Sequence, residues 1–247
     1  MSVHESSAAH TRGAVVWERT TTGPGQARIL PDGCTDLIWS SRAGLTIAGP
    51  DTIAAMSELA RGELIIGLRF PPGTGPAVFG VPAAELTDQR VPLDAIWPAA
   101  TVREIDDRMA GGAGADLLDR LADERLRAAG GADPRARVVA RRLAGGATVA
   151  QTAAAVGLSA RHLHRASRDL FGYGPKTLAR ILRLRRALAL VRSGMPVALA
   201  AAEAGYADQP HLSRDVRALA GVPLGALVQP SAAQRSTVLP SGSLRLA

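Results

Sequence analysis

Arg161, His164, Arg165 and Arg168 fall at positions i, i+3, i+4 and i+7, and Pro210, Ser213, Arg214 and Arg217 repeat that spacing. On a helix such positions share one face. A row of cations repels itself on a free surface. Facing phosphates and guanine edges, the same row is favourable. The chemistry these side chains can do is therefore recognition of a polyanion rather than bond making.

The elements around both rows repeat as well. Ala154-Ala-Val-Gly157-Leu-Ser159 leads into the first row, and Ala202-Glu-Ala-Gly205-Tyr-Ala-Asp208 leads into the second. The offset between the copies is 48 residues at the first glycines, 49 from Ser159/Asp208 to Gly172/Gly221, and 48 again at Pro175/Pro223. One inserted residue near the turn accounts for the change. In each copy an Ala-rich helix stops at a glycine, the residue suited to a left-handed helix end. Ser159 or Asp208 then caps the next helix by accepting from its free N–H groups. That helix is expected to bury Ala160, Leu163 and Leu170 in the first copy, and Leu212, Val216 and Leu219 in the second. Helix, tight turn, helix is a DNA-reading arrangement. Between the copies Lys176–Arg192 reads as one linking helix with an apolar side at Leu178, Ile181, Leu182, Leu188 and Val191. Arg180, Arg183 and Arg186 lie off that side. A rigid linker would hold the readers apart at a fixed separation, and neighbouring major grooves on one DNA face lie about 34 Å apart.

Charge is distributed to match. The chain has 247 residues and a formal net charge of +7. Residues 1–133 hold 12 arginines against 18 acidic residues, whereas residues 134–228 hold 15 Lys+Arg against 4. An acidic half precedes a basic half, as expected when one domain meets nucleic acid. Lys176 is the single lysine.

Residues 135–228 resemble the DNA-binding domain of the AraC/XylS family of transcription regulators. The segment Ala204-Gly205-Tyr206-Ala207-Asp208-Gln209-Pro210-His211-Leu212-Ser213-Arg214, followed by Gly221-Val222-Pro223, is similar to the family's second module, and Gly157 to Pro175 to its first. The resemblance implies base-edge contacts from Arg161, His164 and Arg165 and from Gln209, Ser213 and Arg214. It places Arg168, Lys176 and Arg217 on phosphates. Three positions depart from the pattern. Ser167 replaces a bulky aromatic, with Phe171 able to fill the space; Val216 is smaller than usual; Pro210 replaces a polar residue.

The front half carries short β-like runs at 14–19, 27–30, 35–39, 45–48 and 63–70, separated by Gly/Pro turns. They suggest a small antiparallel barrel or sandwich after a polar, loosely held start at 1–13. Residues 81–86 read as one short helix, and 99–109 and 115–129 as amphipathic helices. The expected fold class is α+β: a β-rich domain over 1–95, a helical connector over 96–133, an all-α domain over 134–228 and a flexible tail over 229–247. Pro31-Asp32-Gly33-Cys34-Thr35-Asp36-Leu37, Gly67-Leu68-Arg69-Phe70-Pro71-Pro72-Gly73 and Val91-Pro92-Leu93 resemble the N-terminal domain of an actinobacterial-type AraC-like subgroup. That resemblance implies a sensor or dimerisation domain and names no ligand.

Other chemistry is thinly represented. Cys34 is the only cysteine, which rules out an intrachain disulfide and fits a reducing cytoplasm. Its readings are a buried small residue or a redox or alkylation sensor. Arg69, on an apolar strand, needs an anionic partner, Asp36 or an acidic ligand. Trp17, Trp39 and Trp97 read as core, with one of them available to line a cavity. No metal cluster, phosphate-binding Gly-Lys-Ser/Thr loop or Gly-x-Ser-x-Gly appears, and no cofactor is expected. No apolar stretch reaches the length of a membrane span, and the first ten residues lack the pattern of a signal peptide. The expected partners are double-stranded DNA, RNA polymerase, a small-molecule effector and a second copy of the chain. An enzyme using Cys34 and a sequence-blind DNA-compacting module stand as alternatives to a regulator.

Overall fold

A computed structural model describes residues 3–228. The tail expected over 229–247 lies outside them. Eight strands lie in the first part of the described residues: β1 (Val3–Ser7), β2 (Val15–Thr20), β3 (Gly25–Ile29), β4 (Thr35–Ser40), β5 (Gly44–Ala48), β6 (Ala55–Leu59), β7 (Leu64–Phe70) and β8 (Arg90–Pro92). Six form an antiparallel sheet in the order β1-β2-β7-β4-β5-β8, and β3 pairs with β6 in a second, two-stranded sheet. The α+β class is as expected. The barrel is not: the large sheet ends at β1 on one side and β8 on the other, so it stays open.

Two further expectations are corrected. The polar start contains a strand, because Val3 to Ser7 pairs residue by residue with Arg19 to Val15. Its alternation was hidden by small and polar side chains. Residues 81–86 hold a short 3-10 turn, Ala83–Glu85, preceded by α1 (Gly75–Phe79).

Strand periodicity divides the large sheet into two unlike faces. One face carries Leu37 and Trp39 of β4 and Ile66, Leu68 and Phe70 of β7. Against it pack α2 (Ala99–Ala110) and α3 (Gly114–Ala128) through Val102, Ile105, Met109, Leu117 and Leu118. These two helices, expected as a connector, thus share the core of the first domain. The other face is polar and tight. Trp17 of β2 lies flat over Gly67 of β7, where a Cβ would fall 2.1 Å from the indole. Only glycine leaves room for that ring. The indole N–H donates to Asp36 Oδ1 at 2.9 Å, and Arg69 Nε bonds the same oxygen at 3.1 Å. The space left on this side is about 20 Å³, enough for one water.

The rest is helical: α4 (Pro134–Ala144), α5 (Val149–Ala155), α6 (Ala160–Phe171), α7 (Pro175–Arg192), α8 (Val197–Glu203), α9 (Gln209–Ala220) and α10 (Leu224–Val228). The duplication is visible in the lengths. Helices α5 and α8 have 7 residues each, and α6 and α9 have 12 each. The inserted residue sits in the turn, where Val156–Ser159 in the first module becomes Ala204–Asp208 in the second. The two modules have separate cores joined by α7, which gives Leu178, Ile181 and Leu182 to the first and Leu184, Ala187 and Leu188 to the second.

Candidate nucleic-acid interface

The reading helices α6 and α9 begin and end alike. Ser159 Oγ accepts from His162 N–H at 3.2 Å, and Asp208 Oδ1 accepts from His211 N–H at 2.6 Å. Each satisfies one of the N–H groups that a helix start leaves without a partner. Each helix stops at a left-handed glycine, Gly172 at φ 85° and Gly221 at φ 71°. Those N–H groups bond back to Arg168 O and Arg217 O.

Packing decides which side faces out. In α6 the buried positions are Leu163, Ser167 and Phe171. Leu170 is half-buried and Ala160 is exposed, so the inward stripe is rotated from the expected Ala160–Leu163–Leu170. Phe171 is 1% exposed and packs in the core of the first module. In α9 Leu212, Val216 and Leu219 are all buried as expected, together with Asp215.

The opposite faces are open. Arg161, His164, Arg165 and Arg168 are exposed on α6, and Gln209, Arg214 and Arg217 on α9, with Ser213 half-buried. Lys176, in the first turn of α7, is exposed. Among the described residues no ion pair engages Arg161, Arg165, Arg168, Arg214 or Arg217. The His164 ring lies against Gly174, whose Cβ position is 2.8 Å from Nε2. That contact holds the imidazole toward the start of α7. An arginine row with no internal counter-charge is electrostatically suited to an external polyanion.

One charged network in this half was not foreseen. Asp215, on the inner side of α9, accepts from Arg180 Nε at 2.7 Å and from the Tyr206 hydroxyl at 3.1 Å. Arg183 approaches it at 3.6 Å and stacks over the Tyr206 ring, 4.4 Å from its centre. Two arginines of the linking helix thereby hold α9. The available signal was Asp215 itself, an acid at an inward helical position of a basic segment.

The candidate positions of the first domain separate. Asp36 pairs with Arg69 as expected, and Asp32 Oδ2 adds a longer contact to Arg69 at 3.6 Å. Burial works against charge on Arg69, but Asp36 and Asp32 outweigh it and hold the guanidinium protonated. Cys34 is buried. Burial first, and then the charge of Asp32, push its thiol well above the ordinary value, which leaves it a poor nucleophile. Trp39 lies on the other face of the sheet, donating to Asp106 Oδ1 at 2.7 Å.

Cys34 and Arg69 do border a cleft of about 1280 Å³ that sequence reading did not anticipate. Its walls come from β1, the β1–β2 turn, α3, the segment Gly130–Asp133 and the start of α4. Glu5, His10, Arg12 and Arg137 supply polar groups, and Val15, Leu126 and Ala140 supply apolar surface. Burial raises the pKa of the Glu5 carboxyl, and its Oε1 has no hydrogen-bond partner. Among the described residues no group of three or more His, Cys, Asp or Glu is placed to hold a metal ion. No described helix is long and apolar enough to cross a membrane.

Residues 152–229 match the family model described as a helix-turn-helix domain, and residues 14–92 match that of a domain of unknown function, DUF6597. No curated protein matches the chain in sequence. Among solved structures the chain is similar to ToxT from Vibrio cholerae O395, at 8% identity and a TM-score of 0.46, over 88% of this chain and 98% of that one. A second ToxT structure, from strain SCE256 with an unsaturated fatty acid bound, gives 8% identity and a TM-score of 0.40, over 85% and 92%. Likeness at that level says nothing of this chain's ligands or partners. The duplicated helix-turn-helix and the open arginine faces agree with the family match: residues 152–229 are a helix-turn-helix domain.

Proposed function

We propose that α6 and α9 enter adjacent major grooves of one duplex. In this reading Arg161, His164 and Arg165 of α6, and Gln209, Ser213 and Arg214 of α9, meet base edges. Arg168, Lys176 and Arg217 meet phosphates. The observation that carries the reading is the pair of equal-length helices, each with a side-chain N-cap and an end glycine, whose arginines make no ion pair among the described residues. The functional unit for DNA is residues 134–228, and the protein works in the cytoplasm without catalysis of its own. RNA polymerase and a second copy of the chain are its protein partners in this reading.

A small-molecule effector belongs to the same proposal. The polar face of the sheet beside Trp17 and Asp36 keeps only about 20 Å³, too little for one. The cleft, at about 1280 Å³, has room for a small molecule with space to spare, and its walls come from both halves of the chain. An occupant there would touch the 130–133 segment and α4 at once, and so bias how the halves sit.

Binding-site selection with the purified chain tests the DNA reading. A defined motif is expected, with Arg214→Ala costing about 1–3 kcal/mol at the selected site and relaxing specificity at one base pair. Uniform affinity for all sequences would favour a compacting module instead.

A further inference from the structure

Both reading helices end on the first domain, and they do so through different donors. The Thr87 hydroxyl donates to Gly172 O at 3.0 Å, at the cap that closes α6. Gly172 is packed so closely there that a Cβ would fall 2.4 Å from Thr87 Oγ1 and 2.7 Å from Pro50 Cγ. At the other module Arg28 Nη1, from β3, donates to Ala220 O at 2.8 Å, and Ala54 N–H donates to Leu219 O at 2.7 Å. Those are the last two carbonyls of α9. Carbonyls at a helix end lack partners within the helix and carry its negative pole, so a guanidinium is favourable there. Leu30, at the end of β3, enters the core of the second module.

The consequence is geometric. Helix α7 joins the modules, but a single helix fixes their mutual rotation only as firmly as each module packs on it. The first domain adds a second fastening across the repeat, with one side-chain donor for each reading helix and a backbone N–H besides at α9. Both side-chain donors reach the C-terminal ends and leave the arginine faces open.

We propose that Arg28, with Thr87 as its counterpart, is a positioning residue for DNA recognition: by capping the end of α9 from the neighbouring domain it fixes the spacing at which the two helices read their half-sites. This rests on the two-groove reading above. Neither side chain touches DNA in that reading. Their effect is on how strictly two half-sites must be placed, not on how well either one is bound.

The experiment takes the operator found by selection, its two half-sites alone, and versions with one base pair inserted or removed between them. One base pair turns a half-site by about 35° and moves it by about 3.4 Å. A rigid pair of readers then loses most of the gain from binding both sites at once, about tenfold or more for the parent. Arg28→Ala and Thr87→Val are each expected to reduce that penalty to about threefold or less, while affinity for either isolated half-site stays within about twofold. Arg28→Lys, which still offers a cation to the same carbonyl, keeps the parent's penalty. The proposal is overturned if the Ala and Val variants keep the full penalty, or if they lose half-site affinity as much as operator affinity. A parent that binds every sequence alike overturns the two-groove reading itself, and the positioning role with it.

Discussion

The two helix-turn-helix modules share element lengths and, on their reading helices, a side-chain N-cap and an end glycine, and they are locked by different forces. The first is closed by apolar volume: Leu163 and Phe171 of α6 meet Val139 and Leu143 of α4 and Leu178 and Ile181 of α7. The second keeps an apolar stripe but adds the network of Asp215, Arg180, Arg183 and Tyr206. Apolar volume is non-directional and tolerates small rotations. A carboxylate held by a guanidinium and a phenol is directional, and it becomes costly when one partner is removed. One backbone repeat has therefore been fixed once by shape and once by charge. The charged solution occurs in the module whose reading helix also takes Arg28 at its far end.

That contrast is open to direct attack. The largest effect is expected from Phe171→Ala, which removes a fully buried ring from the first module and should cost about 3–5 kcal/mol in urea unfolding. A loss below about 1 kcal/mol would mean that apolar volume is not what closes this module. Asp215→Ala should cost about 1–3 kcal/mol, less than a fully buried pair because Arg180 and Arg183 are partly solvated. Its signature is a second module that unfolds first by hydrogen exchange while the first keeps its protection. Equal loss of protection in both modules would contradict separate locks. The smallest effect, and the one of opposite sign, belongs to Ser167→Ala. Ser167 Oγ is buried with no hydrogen-bond partner, so its removal should be neutral or stabilising by up to about 1 kcal/mol. A clear destabilisation would show that the hydroxyl is satisfied in solution.

The same contrast marks what could be read from residues alone. The duplication, both caps, the inserted turn residue and the outward arginine faces follow from local rules, because helix ends and helical periodicity are encoded within a few positions. The Asp36–Arg69 pair was legible because a lone cation on an apolar strand demands an anion. The inward rotation of α6 was not, since it depends on how Leu163 and Phe171 pack among α4 and α7, a matter of volume between helices. Strand β1 was missed for a related reason. His4, Glu5, Ser6 and Ser7 carry little hydrophobic alternation, and only pairing with β2 makes them a strand. The cleft and the contacts of Arg28 and Thr87 join residues up to 192 positions apart, and no local pattern announces such meetings.

Hydroxyl-radical footprinting of the selected operator tests the central claim most directly. The account predicts two protected patches on one face of the duplex, centred about 10–10.5 base pairs apart, with Arg161→Ala erasing contacts in one patch and Arg214→Ala in the other. A single patch that both substitutions weaken together, or protection with no fixed spacing, would contradict a chain that reads two grooves with two matched helices.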